Sequence, residues 1–204
     1  MTRPRQIALG ISGASGAPYA LRLLEVLLAS GIHVHLMVST AGRLVLATES
    51  DLNLPARPVE VEARLAERFG AGAGQLRAYG ENDWLAPIAS GSNPPDAMVV
   101  CPCTTGTLAA IAAGYGRNLM DRAADVVLKE GRKLVLVPRE TPFSVLHLEN
   151  MLRLARAGAV ILPPNPGFYH DPESIDDLVD FVVARILDHL DVEHDLGARW
   201  GEAQ

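Results

Sequence analysis

The chain has 204 residues, 49% of them hydrophobic but only 5% aromatic, and a formal net charge of −6. That length fills one core of small aliphatic side chains and would strain to supply two, while the acidic balance removes the broad basic surface that a nucleic-acid backbone or an anionic membrane demands. No apolar run reaches the roughly 20 residues that span a bilayer, so the expected setting is the reducing cytoplasm.

In chain order, Gln6-Ile-Ala-Leu-Gly-Ile11 is a short apolar run that stops at a glycine cluster, and Tyr19 to Ala29 then places Leu21, Leu24, Leu27 and Leu28 at helical spacing. His33 to Val38 reads as a second strand, Ala41 to Thr48 as a helix, and the unit as a right-handed βαβ crossover. A helix over Val59 to Phe69 and a strand over Leu76 to Tyr79 follow, then a loop rich in proline and glycine through Trp84 to Ser92. The strand Ala97 to Cys101 leads into helices over Thr104 to Ala113 and Leu119 to Glu130. Lys133 to Val137 is a continuous apolar strand suited to a sheet covered on both faces. A helix over Ser144 to Ala157, a short strand Ala159 to Leu162 and a stiff loop Pro163 to Tyr169 precede a last helix from the N-cap Ser174 to about Leu190. The alternation predicts an α/β fold: a doubly wound parallel sheet in a flavodoxin-like or Rossmann-like three-layer single domain, with ligands bound beyond the carboxyl ends of the strands. Residues 1–190 form the domain, and 191–204 a polar tail, frayed or packed on a neighbouring subunit.

Cys101 and Cys103 flank Pro102, too close for an ordinary disulfide and too few for a structural zinc site, and read as small buried hydrophobes. The six histidines offer no pair at metal-ligand helical spacing, so no metal is expected, and His147 reads as structural.

At Gly10-Ile-Ser-Gly13-Ala-Ser-Gly16 the glycines let backbone approach a phosphate at a helix start, with Ser12 and Ser15 as further donors. A plain tight βα turn is the alternative. The spacing departs from the dinucleotide G-x-G-x-x-G, and Val38-Ser39-Thr40 supplies no acidic residue for an adenosine ribose, so a mononucleotide fits better than NAD. Cys101-Pro-Cys-Thr-Thr-Gly-Thr107 is a second strand end opening into a helix. Its hydroxyls suit either the polar edge of a flavin ring or ordinary helix capping.

Together Ser12-Gly-Ala-Ser-Gly-Ala17, Ala89-Ser-Gly-Ser92, Cys101-Pro-Cys-Thr-Thr-Gly-Thr-Leu108, Arg122 to Lys129, Leu136-Val-Pro-Arg-Glu140 and Pro166-Gly-Phe-Tyr169 closely resemble the UbiX flavin prenyltransferases over nearly the whole chain. The resemblance implies transfer of the dimethylallyl group of dimethylallyl phosphate to N5 and C6 of reduced FMN, without metal. The prenylated FMN would serve UbiD-type decarboxylases, and the assembly would be a dodecamer with sites between subunits.

By the same resemblance, Gly13, Ala14, Ser15, Ser39, Thr104, Thr105, Gly106, Thr107 and Arg139 contact FMN, although Arg139 beside Glu140 also reads as half of a solvated ion pair. Ser90, Arg122, Lys129, Tyr169 and Arg185 would take the donor phosphate, whose charge grows as the allylic carbon–oxygen bond breaks, with Tyr169 and Arg185 expected from a neighbouring subunit. Arg122 and Lys129, seven apart, share a helix face. Arg185 in the apolar run Phe181 to Leu187 reads by itself as a snorkelling surface arginine. Trp84 would face the allylic cation, or anchor its loop at a subunit interface. Glu49 and Glu140 would move protons, Glu49 near the flavin and Glu140 near the phosphate; alone, both read as surface carboxylates. An oxidative decarboxylase of the cysteine-peptide type is the competing enzyme, but its Pro-Ala-Met-Asn segment is absent. A flavin carrier without chemistry is the other alternative, and it would not need a second phosphate site.

Overall fold

The computed structural model describes residues 4–197. Six strands form one parallel sheet: β1 Gln6–Ile11, β2 His33–Val38, β3 Leu76–Tyr79, β4 Ala97–Cys103, β5 Lys133–Pro138 and β6 Val160–Ile161, in the spatial order β3-β2-β1-β4-β5-β6. Seven helices connect them: α1 Ala17–Ala29, α2 Thr40–Glu49, α3 Pro58–Phe69, α4 Thr105–Ala112, α5 Leu119–Lys129, α6 Val145–Arg156 and α7 Ile175–His189. The chain runs outward from β1 to β3 on one side and resumes at β4 on the other, so the order reverses between β1 and β4. In such sheets the crevice at that point receives the ligand.

Strand periodicity divides the core into two layers. Ile7, Leu9 and Ile11 pack with Leu24, Leu27, Val183 and Leu187 on the α1 and α7 face. Ala8, Met98 and Val100 pack with Leu108, Ala123 and Val127 on the α4 and α5 face. Both cysteines are fully buried, as expected, yet they face opposite layers, Cys101 with Val99 and Cys103 with Met98. Residues two apart on a regular strand would share a face; the register shift between Val100 and Cys103 against β5 changes the parity. Burial pushes both thiols up, that of Cys103 to about 12, so neither is a nucleophile at neutral pH.

Two details differ from the sequence reading. β4 continues to Cys103 because Pro102, which cannot donate, still accepts from the Ser12 amide at 3.2 Å. The loop through residues 84–92 contains a short 3-10 turn, Pro87–Ala89. Ser174 caps α7 as expected, and His147 is structural: its Nδ1 accepts from the Ser144 amide in the capping box that opens α6. Of the tail, residues 191–197 are described and run beside their own chain. Asp191 pairs with Lys133 at 2.8 Å, its carbonyl and that of Leu190 accept from Arg5, and Val192 is buried. Residues 198–204 lie outside the described region. Among the described residues no helix is long and apolar enough to cross a membrane, and no group of three or more histidine, cysteine or carboxylate side chains could hold a metal ion.

Candidate active site at the strand switch point

The turn after β1 sits on the β1–β4 boundary and is shaped by close backbone approach. A Cβ on Gly13 would lie 2.4 Å from the Ala41 Cβ, so only glycine lets this turn meet the start of α2. The amides of Gly13, Ala14 and Ser15 have no hydrogen-bond partner among the described residues, which leaves three consecutive donors at a strand end. Arg139 lies beside them, its Nε donating to the Ser15 carbonyl at 3.2 Å. The alternative pairing of Arg139 with Glu140 is therefore not what the structure forms.

α1 has no side-chain cap of its own. Glu49, at the end of α2, supplies one instead: its Oε2 accepts from the amides of Gly16 at 2.8 Å and Ala17 at 2.9 Å. Burial opposes ionisation of this carboxyl, but the hydrogen bonds from Ser15, Gly16 and Ala17 outweigh it. With the Arg139 charge nearby, Glu49 is held below the usual carboxylate range. It is thus an anion anchored against the glycine-rich turn, not an unpaired surface carboxylate.

Ser12 corrects the sequence reading. Its side chain does not face the turn's open side: it is 2% exposed, its hydroxyl donates to the Pro102 carbonyl at 2.8 Å and it accepts from the Thr104 amide at 2.7 Å. With both capacities used in this way, it is no ligand for a phosphate. Thr104 caps α4, accepting from the Thr107 amide and donating to the Thr107 hydroxyl, both at 3.0 Å, so the capping alternative for this turn is realised. Capping still leaves the Thr105 and Gly106 amides without a partner among the described residues. Ser39 similarly caps α2, accepting from Gly42 at 2.9 Å. Glu81, which sequence inspection passed over, fixes that helix start from outside through the Thr40 amide and hydroxyl.

A second group of polar side chains lies along α5. Arg122 donates through Nε to the Ala89 carbonyl at 3.1 Å and pairs with Asp125 at 2.6 Å. Lys129 pairs with Glu130, and both press on Gly91, where a Cβ would lie 2.4 Å from Lys129 Nζ. Ser90 shares a hydrogen bond with Ser92 in the same loop. The helix face expected from seven-residue spacing is real, and it brings Ser90, Arg122 and Lys129 together. Glu140 sits just past β5, its carboxylate accepting from the Thr141 amide. Trp84 is 47% exposed in a turn beside Leu85, which is 99% exposed.

Tyr169 and Arg185 are elsewhere. They line a cavity of about 890 Å³ between the 163–173 segment and α7, with His170, Asp177 and Asp188. The Tyr169 ring stands edge-on to Phe181, and Arg185 pairs with Asp188 at 2.6 Å. Ser90, Arg122 and Lys129 do not line this cavity.

Residues 1–187 match the family model described as Flavoprotein. The flavin prenyltransferase UbiX of Pseudomonas aeruginosa is 59% identical over 202 residues, 99% of this chain and 97% of its own. The chain belongs to the UbiX flavin prenyltransferase family. A crystal structure of AnUbiX in complex with FMN and dimethylallyl pyrophosphate superposes with a TM-score of 0.87 at 41% identity, covering 99% of this chain and all of the other. A dodecameric FMN-dependent UbiX-like decarboxylase from Escherichia coli O157:H7 superposes at 0.83 with 44% identity, over 96% of this chain and 98% of its own. Peptidyl-cysteine and related decarboxylases align at 12–18% identity, a likeness of fold alone. The glycine-rich turn with its open amides and the ion-paired Arg122 and Lys129 on α5 thus occur in one small domain.

Proposed function

We propose that this protein joins the dimethylallyl group of dimethylallyl phosphate to N5 and C6 of reduced FMN, releasing phosphate and giving prenylated FMN for UbiD-type decarboxylases. The observation that carries the reading is the set of three unpartnered amides at Gly13, Ala14 and Ser15, crossed by Arg139, at the switch point of the sheet. These donors fit the phosphate of FMN, and the first turn of α4, capped by Thr104 through Thr107 and with the Thr105 and Gly106 amides open among the described residues, fits the rest of the molecule together with Ser39 at the start of α2. Bound there, reduced flavin supplies the nucleophilic nitrogen and ring carbon.

The chain's own residues supply the rest. Ser90, Arg122 and Lys129 from one subunit, with Tyr169 and Arg185 from a neighbour, neutralise the departing phosphate; Trp84 presents its ring face to the allylic carbons. Glu49, held as an anion, accepts a proton at the flavin side, and Glu140 handles the proton at the phosphate side. Sites shared in this way require the oligomer, a dodecamer, with residues 1–190 as the flavin-binding body, against which the described start of the tail, residues 191–197, packs. A cytoplasmic location belongs to the same reading, since the flavin must arrive reduced.

Anaerobic incubation of the protein with FMNH2 and dimethylallyl phosphate tests the proposal. Mass spectrometry of the released flavin should show a gain of one five-carbon prenyl unit; unaltered FMN after full turnover time would refute it. Arg122 and Lys129 beside the 89–91 loop, apart from the glycine-rich turn, favour this reading over a flavin carrier, which has no use for a second group of cations.

A further inference from the structure

The β1–β4 ladder ends at Gly10 opposite Val100. Beyond it β4 is irregular and carries Pro102, which has no amide to offer. Ser12 bridges the gap that follows. Its amide and hydroxyl both reach the Pro102 carbonyl, and its oxygen receives the Thr104 amide. The side chain therefore stands in for ladder bonds that the backbone cannot make, and it ties together the two turns that open on the crevice. Thr104 in turn holds the first turn of α4 through Thr107. Any shift at Thr104 is thus passed to the open amides of Thr105 and Gly106, while the open amides of Gly13 to Ser15 start at the very next residue after Ser12.

We propose that Ser12 is a positioning residue that sets the distance between the phosphate turn after β1 and the turn after β4, and through it the placement of the flavin ring against the prenyl donor. This rests on the reading that one FMN molecule spans both turns. Ser12 touches neither ligand, so its effect should fall on ring geometry and turnover more than on phosphate affinity.

The test compares Ser12→Ala, which removes the bridge, with Ser12→Thr, which keeps a hydroxyl. Per bound flavin, Ser12→Ala should lose about 100-fold in kcat, the scale on which small misplacements act, with the donor KM changed by less than about threefold and the absorption band of bound FMN shifted. Ser12→Thr should recover most of the rate and the wild-type spectrum. If alanine abolishes folding, Ser12→Cys keeps the size with a far weaker hydrogen bond and carries the same expectations. Leu65→Ala, in the distant core of α3, controls for simple loss of stability: it should lower Tm without moving the flavin spectrum. Wild-type kcat and spectrum in Ser12→Ala, or no recovery in Ser12→Thr, would overturn the proposal. Should the wild-type protein fail to prenylate FMN, the proposed function falls by itself, and the bound-FMN spectra of wild type and variants still decide the role of Ser12.

Discussion

The turn after β1 and the cavity beside α7 are both candidate anion sites, and they are built in different ways. The β1 turn draws on several elements of one chain: a glycine against Ala41, open amides at Gly13 to Ser15, Arg139 just past β5 and Glu49 from α2. The α7 cavity offers Arg185 already paired to Asp188, and both ring nitrogens of His170 are buried with no hydrogen-bond partner among the described residues. Buried polar atoms left in that condition cost free energy, on the order of 1–3 kcal/mol each. A site drawn from adjacent parallel strand ends is complete when the sheet is complete, whereas one drawn from a surface helix and a proline-rich loop can wait for a second copy of the chain.

The sharpest way to separate the two regions is to destroy one at a time. Changing Arg122→Met or Arg185→Met should each lower kcat/KM for dimethylallyl phosphate by about 100-fold to 1000-fold, as loss of a transition-state charge partner does, and leave the FMN Kd unchanged. Mixing the two inactive variants by unfolding and refolding them together should restore activity at about a quarter of the sites if each site takes one arginine from each of two subunits. No restoration would place both arginines in one chain's site. At the other region Gly13→Val forces side-chain atoms into Ala41 and should raise the FMN Kd about 100-fold, some 2.7 kcal/mol, as measured by fluorescence quenching.

Smaller effects probe how Glu49 joins helix capping to chemistry. Glu49→Gln keeps the shape of the side chain and should retain FMN while slowing product formation about 10-fold to 100-fold per bound flavin; loss of flavin with unchanged turnover would remove Glu49 from the chemistry. The same carboxyl gives the weakest prediction. Because folding holds it below its ordinary value of 4.5, its ionised form stabilises the native state above that pH, and the contribution fades as the pH falls through the lower folded value. Thermal melts should therefore show a steeper acid-side loss of Tm in the wild type than in Glu49→Gln.

Strand and helix periods placed every major element, because a sheet covered on both faces writes short apolar runs and its helices write a 3.6-residue stripe. The glycine-rich turn, the helix face shared by Arg122 and Lys129 and the N-cap Ser174 were legible for the same reason, being local. The contacts of Ser12, Glu49 and Glu81 were not, because each acts through backbone groups 32 to 92 positions away in the chain. No spacing rule reports a carboxylate at the end of α2 capping α1, or a serine hydroxyl replacing ladder bonds at Pro102.

The sequence by itself determined the doubly wound α/β order, the location of the glycine-rich turn at the strand switch point and the residue types available around it. Tertiary structure decided which of those groups meet. It turned Ser12 inward, separated Arg139 from Glu140, set Cys101 and Cys103 on opposite faces, and kept Tyr169 and Arg185 in a cavity of their own. The physical reason is that hydrophobic periodicity is fixed by a residue's near neighbours, while a hydrogen bond between two strand ends exists only after the sheet has brought them to within about 3 Å.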